Sequence, residues 1–178
     1  MTPKRVIPRF ADLCAIVLRW LLVVLFALLF LDVLWGVFSR YVLGQQARWS
    51  EEVAIYLLIW VSLLGAAYVF REKGHLGLDY LVAGMDRMAQ RWAEVAAVLI
   101  CALFVVYVFL VGGVNLVMRS LDGGQVTPAL GWRVGYLYGV IPLSGLFFLV
   151  FALEQLWNLF HGRPAQGEGG HKPAEDGP

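Results

Sequence analysis

The chain has 178 residues, of which 60% are hydrophobic and 15% charged, with a mean hydropathy of +0.72 and a net charge of +1. Soluble domains run nearer half apolar and a quarter charged, so the length divides into membrane spans rather than soluble domains. A near-zero net charge leaves nucleic acid no electrostatic footprint, and two isolated cysteines, Cys14 and Cys101, argue against a disulfide framework or a zinc site.

The N-terminus has the basic start of a signal peptide (Lys4, Arg5, Arg9), but Arg19 interrupts the apolar run and no small-x-small site follows near Leu29. It is expected to be retained as the first of four spans, at about 14–41, 51–70, 93–118 and 133–158. The first span contains an acid, Asp32, about 10 Å inside Ser39 at 1.5 Å per residue. Acids at such depth are costly and raise a functional hypothesis. Asp32 shares a face with Gly36 and Ser39, so a hydrogen-bonded acid joining helices is the favoured reading, with Trp60, Tyr107 or Tyr138 as donor. Proton or ion coupling at Asp32 is the alternative.

The second span opens with RWSEEVAIYLLIW (48–60). Ser50 suits an N-cap, and Glu51 and Glu52 then meet the positive end of the helix dipole. Val53 at the third position rules out a full capping box. Trp49 reads as an interfacial anchor. Ser62, Gly65 and Ala66 are small enough to mark a helix contact.

Between spans two and three, residues 71–92 place Leu81, Val82, Met85, Met88, Ala89 and Trp92 on one face and Asp86, Arg87, Gln90 and Arg91 on the other. This predicts an amphipathic helix on the membrane surface, capped by Asp79; a simple extension of span three is the alternative. In span four, Gly135 and Gly139 stand at the GxxxG interval. Pro142 removes the bond to the Tyr138 carbonyl, which predicts a kink. The Gly/Pro-rich tail, 162–178, is expected to be a disordered cytoplasmic extension of a four-helix membrane domain, 1–161.

Lys and Arg set the topology. Ten lie in the N-terminus, the second loop and the tail, and four (Arg40, Arg48, Arg119, Arg133) lie in the other two loops. Both termini are therefore expected in the cytoplasm. His75, His161 and His171 all fall outside the spans, so no axial haem ligand is available there. No HExxH, GxSxG or P-loop pattern occurs. Neither an enzyme nor a cofactor is expected.

The block RYVLGQQARWSEEVAIYLLIWVSLLGAAYVFREKGHLGLDYL (40–81) resembles the signature of the small membrane subunit of tripartite ATP-independent periplasmic (TRAP) transporters, the DctQ type. The matching residues are Arg40, Tyr41, Trp49, Glu51, Glu52, Trp60, Gly65 to Tyr68, Arg71, His75 and Asp79. TPALGW (127–132) and YLYGVIPLSG (136–145) resemble the start and middle of that family's last span. Asp32 and Arg133 depart from the family pattern. The resemblance implies a four-span subunit without substrate or sodium sites of its own. It would act as a scaffold beside a large membrane subunit in sodium-driven uptake of an organic anion delivered by a periplasmic substrate-binding protein. It implies that Arg40, Trp49, Glu51 and Glu52 cluster at the outer face, fixing spans one and two or meeting a partner, and that His75 and Asp79 do the same at the inner face. Two rivals are an autonomous four-helix proton-coupled exporter using Asp32 and a membrane protein of a respiratory complex.

Overall fold

The computed structural model describes residues 6–45, 47–73 and 87–160. His75, Asp79, the tail 162–178 and most of the expected surface helix lie outside these residues. Among the described residues the chain is all-helical apart from an isolated antiparallel bridge in one loop. Among the described residues four helices are long and apolar enough to cross a membrane.

Helix α1 runs Val6–Val42 and α2 Arg48–Lys73. The third span is built from α3 (Arg87–Phe104), a π-helical stretch (Val105–Gly112) and α4 (Gly113–Asp122). The fourth is α5 (Val134–Tyr138) followed by α6 (Val140–Phe160). Residues 87–92 are continuous with span three, with Met88 and Trp92 exposed. The expected break in span four is present. The helix is interrupted at Gly139, three residues before Pro142, which has no N–H for the Tyr138 carbonyl.

Helix α2 lies between α1 and α6, and α6 packs in turn on span three. The buried core follows that order: Ala15, Leu18 and Leu25 from α1, Leu64 and Ala67 from α2, and Val140 and Phe151 from α6. Outside this seam, large side chains such as Phe26, Phe30, Val37, Ile100 and Leu103 are exposed. That is the surface of a bundle whose solvent is hydrocarbon, where packing and polar contacts rather than water exclusion hold helices together.

Spans three and four approach through glycines. A Cβ at Gly113 would lie 2.8 Å from Ile141 Cγ2, at Gly145 2.9 Å from Phe109 Cβ, and at Gly135 2.5 Å from Leu121 Cγ. Only the first residue of the expected GxxxG pair is such a contact, because Gly139 is the helix interruption. On α2, Ser62 and Ala66 are exposed. The face carrying Leu64 and Ala67 is the buried one, since α1 and α6 flank that side.

Candidate functional site

Polar ties cross the bundle from α2 residues in the family-like block. At the end of α2, Arg71 donates to Glu154 through both Nε (2.9 Å to Oε2) and Nη2 (3.1 Å to Oε1). This is the fork geometry that suits guanidinium and carboxylate. Nη2 also donates to Asp12 of α1. The guanidinium carbon lies 5.6 Å from the centre of the Phe151 ring, within cation–π range. The Arg71 and Glu154 side chains are 19% and 11% exposed, and that of Asp12 61%. Beside them, Gln155 Nε2 donates to the Phe70 carbonyl at 3.0 Å. One side chain thus joins α1, α2 and α6.

Asp12 and Glu154 were not among the candidates from sequence. Glu154 could have been found, as it is an acid inside an apolar span by the same rule that singled out Asp32. Asp12, just ahead of the first span, carries no such signal.

The second tie sits mid-bundle, where Trp60 Nε1 donates to the Leu137 carbonyl at 3.0 Å, beside the interruption at Gly139. The expected donation from Trp60 to Asp32 does not occur. A carbonyl next to a helix break needs an outside donor, and the indole supplies one.

The third tie is at the opposite end. Glu52 accepts backbone N–H bonds from Ala129 (2.8 Å) and Leu130 (3.1 Å) in the loop between spans three and four. That loop is pinned internally. Thr127 N–H donates to the Trp132 carbonyl at 2.8 Å, Trp132 N–H to Thr127 Oγ1 at 3.1 Å, and Gly131 takes φ 67°. Thr127 is buried. Positive φ is where glycine is at home, so the Ala-Leu-Gly-Trp run turns sharply and aims two N–H groups at the carboxylate.

Asp32 is tied as well. Ser50 Oγ donates to Asp32 Oδ1 at 3.0 Å and lies 3.2 Å from the Asp32 carbonyl. Its other oxygen, Oδ2, is buried without a partner among the described residues. The donor is therefore Ser50, not Trp60, Tyr107 or Tyr138; Tyr107 is exposed. Ser50 is also not the N-cap. Helix α2 starts at Arg48, and the Ser50 hydroxyl crosses to α1 instead of capping its own helix. A Cβ on Gly36 would lie 3.3 Å from the same hydroxyl. Asp32 and Gly36 are thus level with the first turn of α2. Six more residues carry α1 about 9 Å beyond that level.

This overshoot breaks up the expected outer cluster. Arg40, Tyr41 (80% exposed) and Trp49 (45% exposed) face outward, and so does Glu51. Arg40 makes no ion pair with Glu51 or Glu52 among the described residues. Glu52 turns to the loop, whose N–H groups are closer than the arginine on the projecting end of α1. Of the candidates, Glu52, Trp60, Arg71 and Asp32 are tied within the chain, and Arg40, Tyr41, Trp49 and Glu51 are left at the surface.

Between α1, α2 and the 129–132 loop lies a groove of about 550 Å³, lined mainly by leucine and aromatic side chains. Among the described residues no group of three or more His, Cys, Asp or Glu could hold a metal ion.

The sequence pattern of the tripartite ATP-independent periplasmic transporters, DctQ component, matches residues 29–162. The chain is 28% identical over 101 residues to the C4-dicarboxylate TRAP transporter small permease protein DctQ of Rhodobacter capsulatus, covering 57% of this chain and 44% of that one. It is 25% identical over 125 residues to the sialic acid TRAP transporter small permease protein SiaQ of Vibrio cholerae, covering 70% of each. The ectoine TRAP transporter small permease protein TeaB of Halomonas elongata is 25% identical over 125 residues, 68% of this chain and 64% of that one. The match also covers 64% of this chain, but only 18% of the other, in the isethionate TRAP transporter permease protein DctMQ of Oleidesulfovibrio alaskensis. An autonomous exporter built on Asp32 finds no support in these relatives. With four membrane-spanning helices and a matching stretch that takes in most of them, the chain is a multi-pass protein of the bacterial inner membrane and belongs to the DctQ-component family of TRAP transporters.

Proposed function

We propose that the chain is the small permease subunit of a sodium-driven TRAP importer, in which it pairs with a large membrane subunit and acts as a fixed scaffold. A periplasmic substrate-binding protein delivers the substrate, an organic anion of carboxylate type. Relatives named for C4-dicarboxylate, sialic acid and ectoine support that substrate class, since each of those compounds carries a carboxylate. The occurrence of a matching stretch inside the longer DctMQ protein supports a close pairing of small and large subunits.

The observation that carries the scaffold role is where the motif residues of α2 go. Glu52, Trp60 and Arg71 lie within about 100° of one another around α2, and each grips a different neighbour. They brace the bundle instead of lining a polar path through it. The motif residues left exposed (Arg40, Tyr41, Trp49, Glu51) are then the ones available to a partner. The Lys/Arg distribution supports a cytoplasmic location for both termini.

The test is a mild-detergent pull-down of tagged chain from its native membrane, read by mass spectrometry, followed by reconstitution into vesicles. Near-equal recovery of a larger multi-span protein is expected, with uptake requiring both chains, the binding protein and a sodium gradient. Recovery of this chain alone, with transport by it alone, would refute the proposal.

A further inference from the structure

Asn115 stands on the outer side of span three, at a depth where lipid offers nothing to its amide. The depth follows from its neighbours. Two residues to one side of it, Gly113 faces Ile141 and Pro142; two residues to the other, the Val117 carbonyl lies against Gly135. Asn115 is therefore level with the stretch around Leu137, where Trp60 makes its bond. Trp60 is about 12 Å along α2 from Glu52, so this level is well inside the bundle's end. The direction follows from the same contacts. Asn115 lies about 160° around α4 from both Gly113 and Val117, whose side faces span four, and it is exposed. Its amide has no hydrogen-bond partner among the described residues.

Hydrocarbon tails carry neither donor nor acceptor, and polar side chains at such depth belong to contacts between helices. Span three ends the row formed by α1, α2, α6 and span three, so among the described residues no helix covers this side of it. Gly112, close to one turn away, is also exposed. A Cβ there would meet only the Tyr107 carbonyl of its own helix, at 3.5 Å, which leaves room for another backbone to approach.

The charges of α4 indicate which helix that is. Arg119 and Asp122 are both exposed, and neither makes an ion pair among the described residues. Arg119 lies about 40° to one side of Asn115 around the helix and Asp122 about 20° to the other. Arg133 does not join them. It leads into α5, whose Gly135 packs on Leu121 and Val117, the side turned away from Asn115. A two-fold axis along the membrane normal exchanges the two flanks, so two copies meeting at Asn115 set Arg119 of each opposite Asp122 of the other. The amide at the centre is donor and acceptor at once and pairs with its own copy. This is the self-complementary patch that a two-fold contact requires.

We infer that this face of span three joins two copies of the chain side by side in the membrane. The inference rests on the four spans lying in lipid and not on the transporter assignment. It leaves the exposed Arg40, Tyr41, Trp49 and Glu51, which belong to α1 and α2 at the other end of the row, to a different partner.

The experiment uses the purified full-length chain, labelled with a single fluorophore, reconstituted into liposomes at high lipid excess and counted by single-molecule photobleaching. Two copies per particle are expected. Asn115→Leu should weaken pairing about tenfold, with an unchanged melting curve as the control for folding. Arg119→Asp and Asp122→Arg should each weaken it, because each sets like charges across the axis. Both changes in one chain restore opposite charges and should restore pairing, and so should mixing the two single variants. Single copies in the unaltered chain overturn the inference, as does pairing indifferent to Asn115→Leu and to both charge reversals. So does an Asn115→Leu chain that still pairs but no longer captures the large membrane subunit; that result gives the face to the larger partner and leaves the subunit proposal standing.

Discussion

Removing the Arg71 guanidinium should be the most damaging single change at the Asp12 end, and its cost should be recoverable. Arg71→Met keeps much of the stem but leaves Glu154, only 11% exposed, without its two charge-assisted bonds. Breaking a buried pair by removing one partner costs about 3–5 kcal/mol. Asp12 is 61% exposed, so its share of the tie behaves as a surface ion pair, and Asp12→Asn should cost under about 1 kcal/mol. Replacing both members of a buried pair by apolar residues of similar volume is often close to neutral. Arg71→Met with Glu154→Met should therefore regain most of the loss. The assay is unfolding of the purified chain in detergent by heat or by titrated SDS, for wild type, the single variants and the double. A double variant as unstable as Arg71→Met alone would refute the reasoning, because the damage would then come from something other than the stranded carboxylate.

Other changes separate residues that look alike in the sequence. Glu52→Gln should destabilise the chain by about 1–3 kcal/mol through loss of charge-assisted acceptance from Ala129 and Leu130, whereas Glu51→Gln loses only a first-turn charge at the helix dipole, should cost under about 1 kcal/mol, and should weaken partner capture; equal melting of the two variants would count against this division. Trp60→Phe keeps a ring but abandons the Leu137 carbonyl, and should cost about 1–3 kcal/mol, with faster amide exchange around Gly139 as the local signature. Gly135→Val would drive a side chain against Leu121 and cost about 1–3 kcal/mol as overpacking, while Gly124→Asn, at an open loop position of φ 60°, should be tolerated in the same melting assay.

The spans were legible because hydropathy accumulates over twenty residues, and the break in span four because proline states its own consequence. What sequence could not supply was partner choice. Arg71 to Glu154 and Glu52 to the 129–130 amides connect positions 83 and 77–78 residues apart, and which helices are neighbours decides such pairs. Ser50 shows the local rule losing outright: its capping preference is worth about 1 kcal/mol, and a hydroxyl facing a carboxylate across a helix interface offers a comparable bond. The π-helical stretch Val105–Gly112 gave no sign at all, since it lies in a uniformly apolar run. Its reading in space comes from the glycines around it: Gly113 against Ile141 and Pro142, and Gly145 against Phe109 and Leu110.

These contacts bear on why two adjacent carboxylates open a membrane helix. A charge at a helix start is tolerable in either of two ways, by facing water or by being met by donors. Glu51 takes the first course and Glu52 the second. They lie about 100° apart around α2, so one sequence position commits to the fold while its neighbour stays available. The same division runs through the rest of the block: Trp60 and Arg71 are spent on internal ties, while Trp49, Arg40 and Tyr41 are not. A motif whose members do such different jobs is poorly explained by a single outer-face cluster. It fits a braced bundle that presents a partner surface at the end where α1 overshoots α2. Loss of bracing residues should then lower the yield of folded chain, and loss of the exposed ones should lower only the yield of complex.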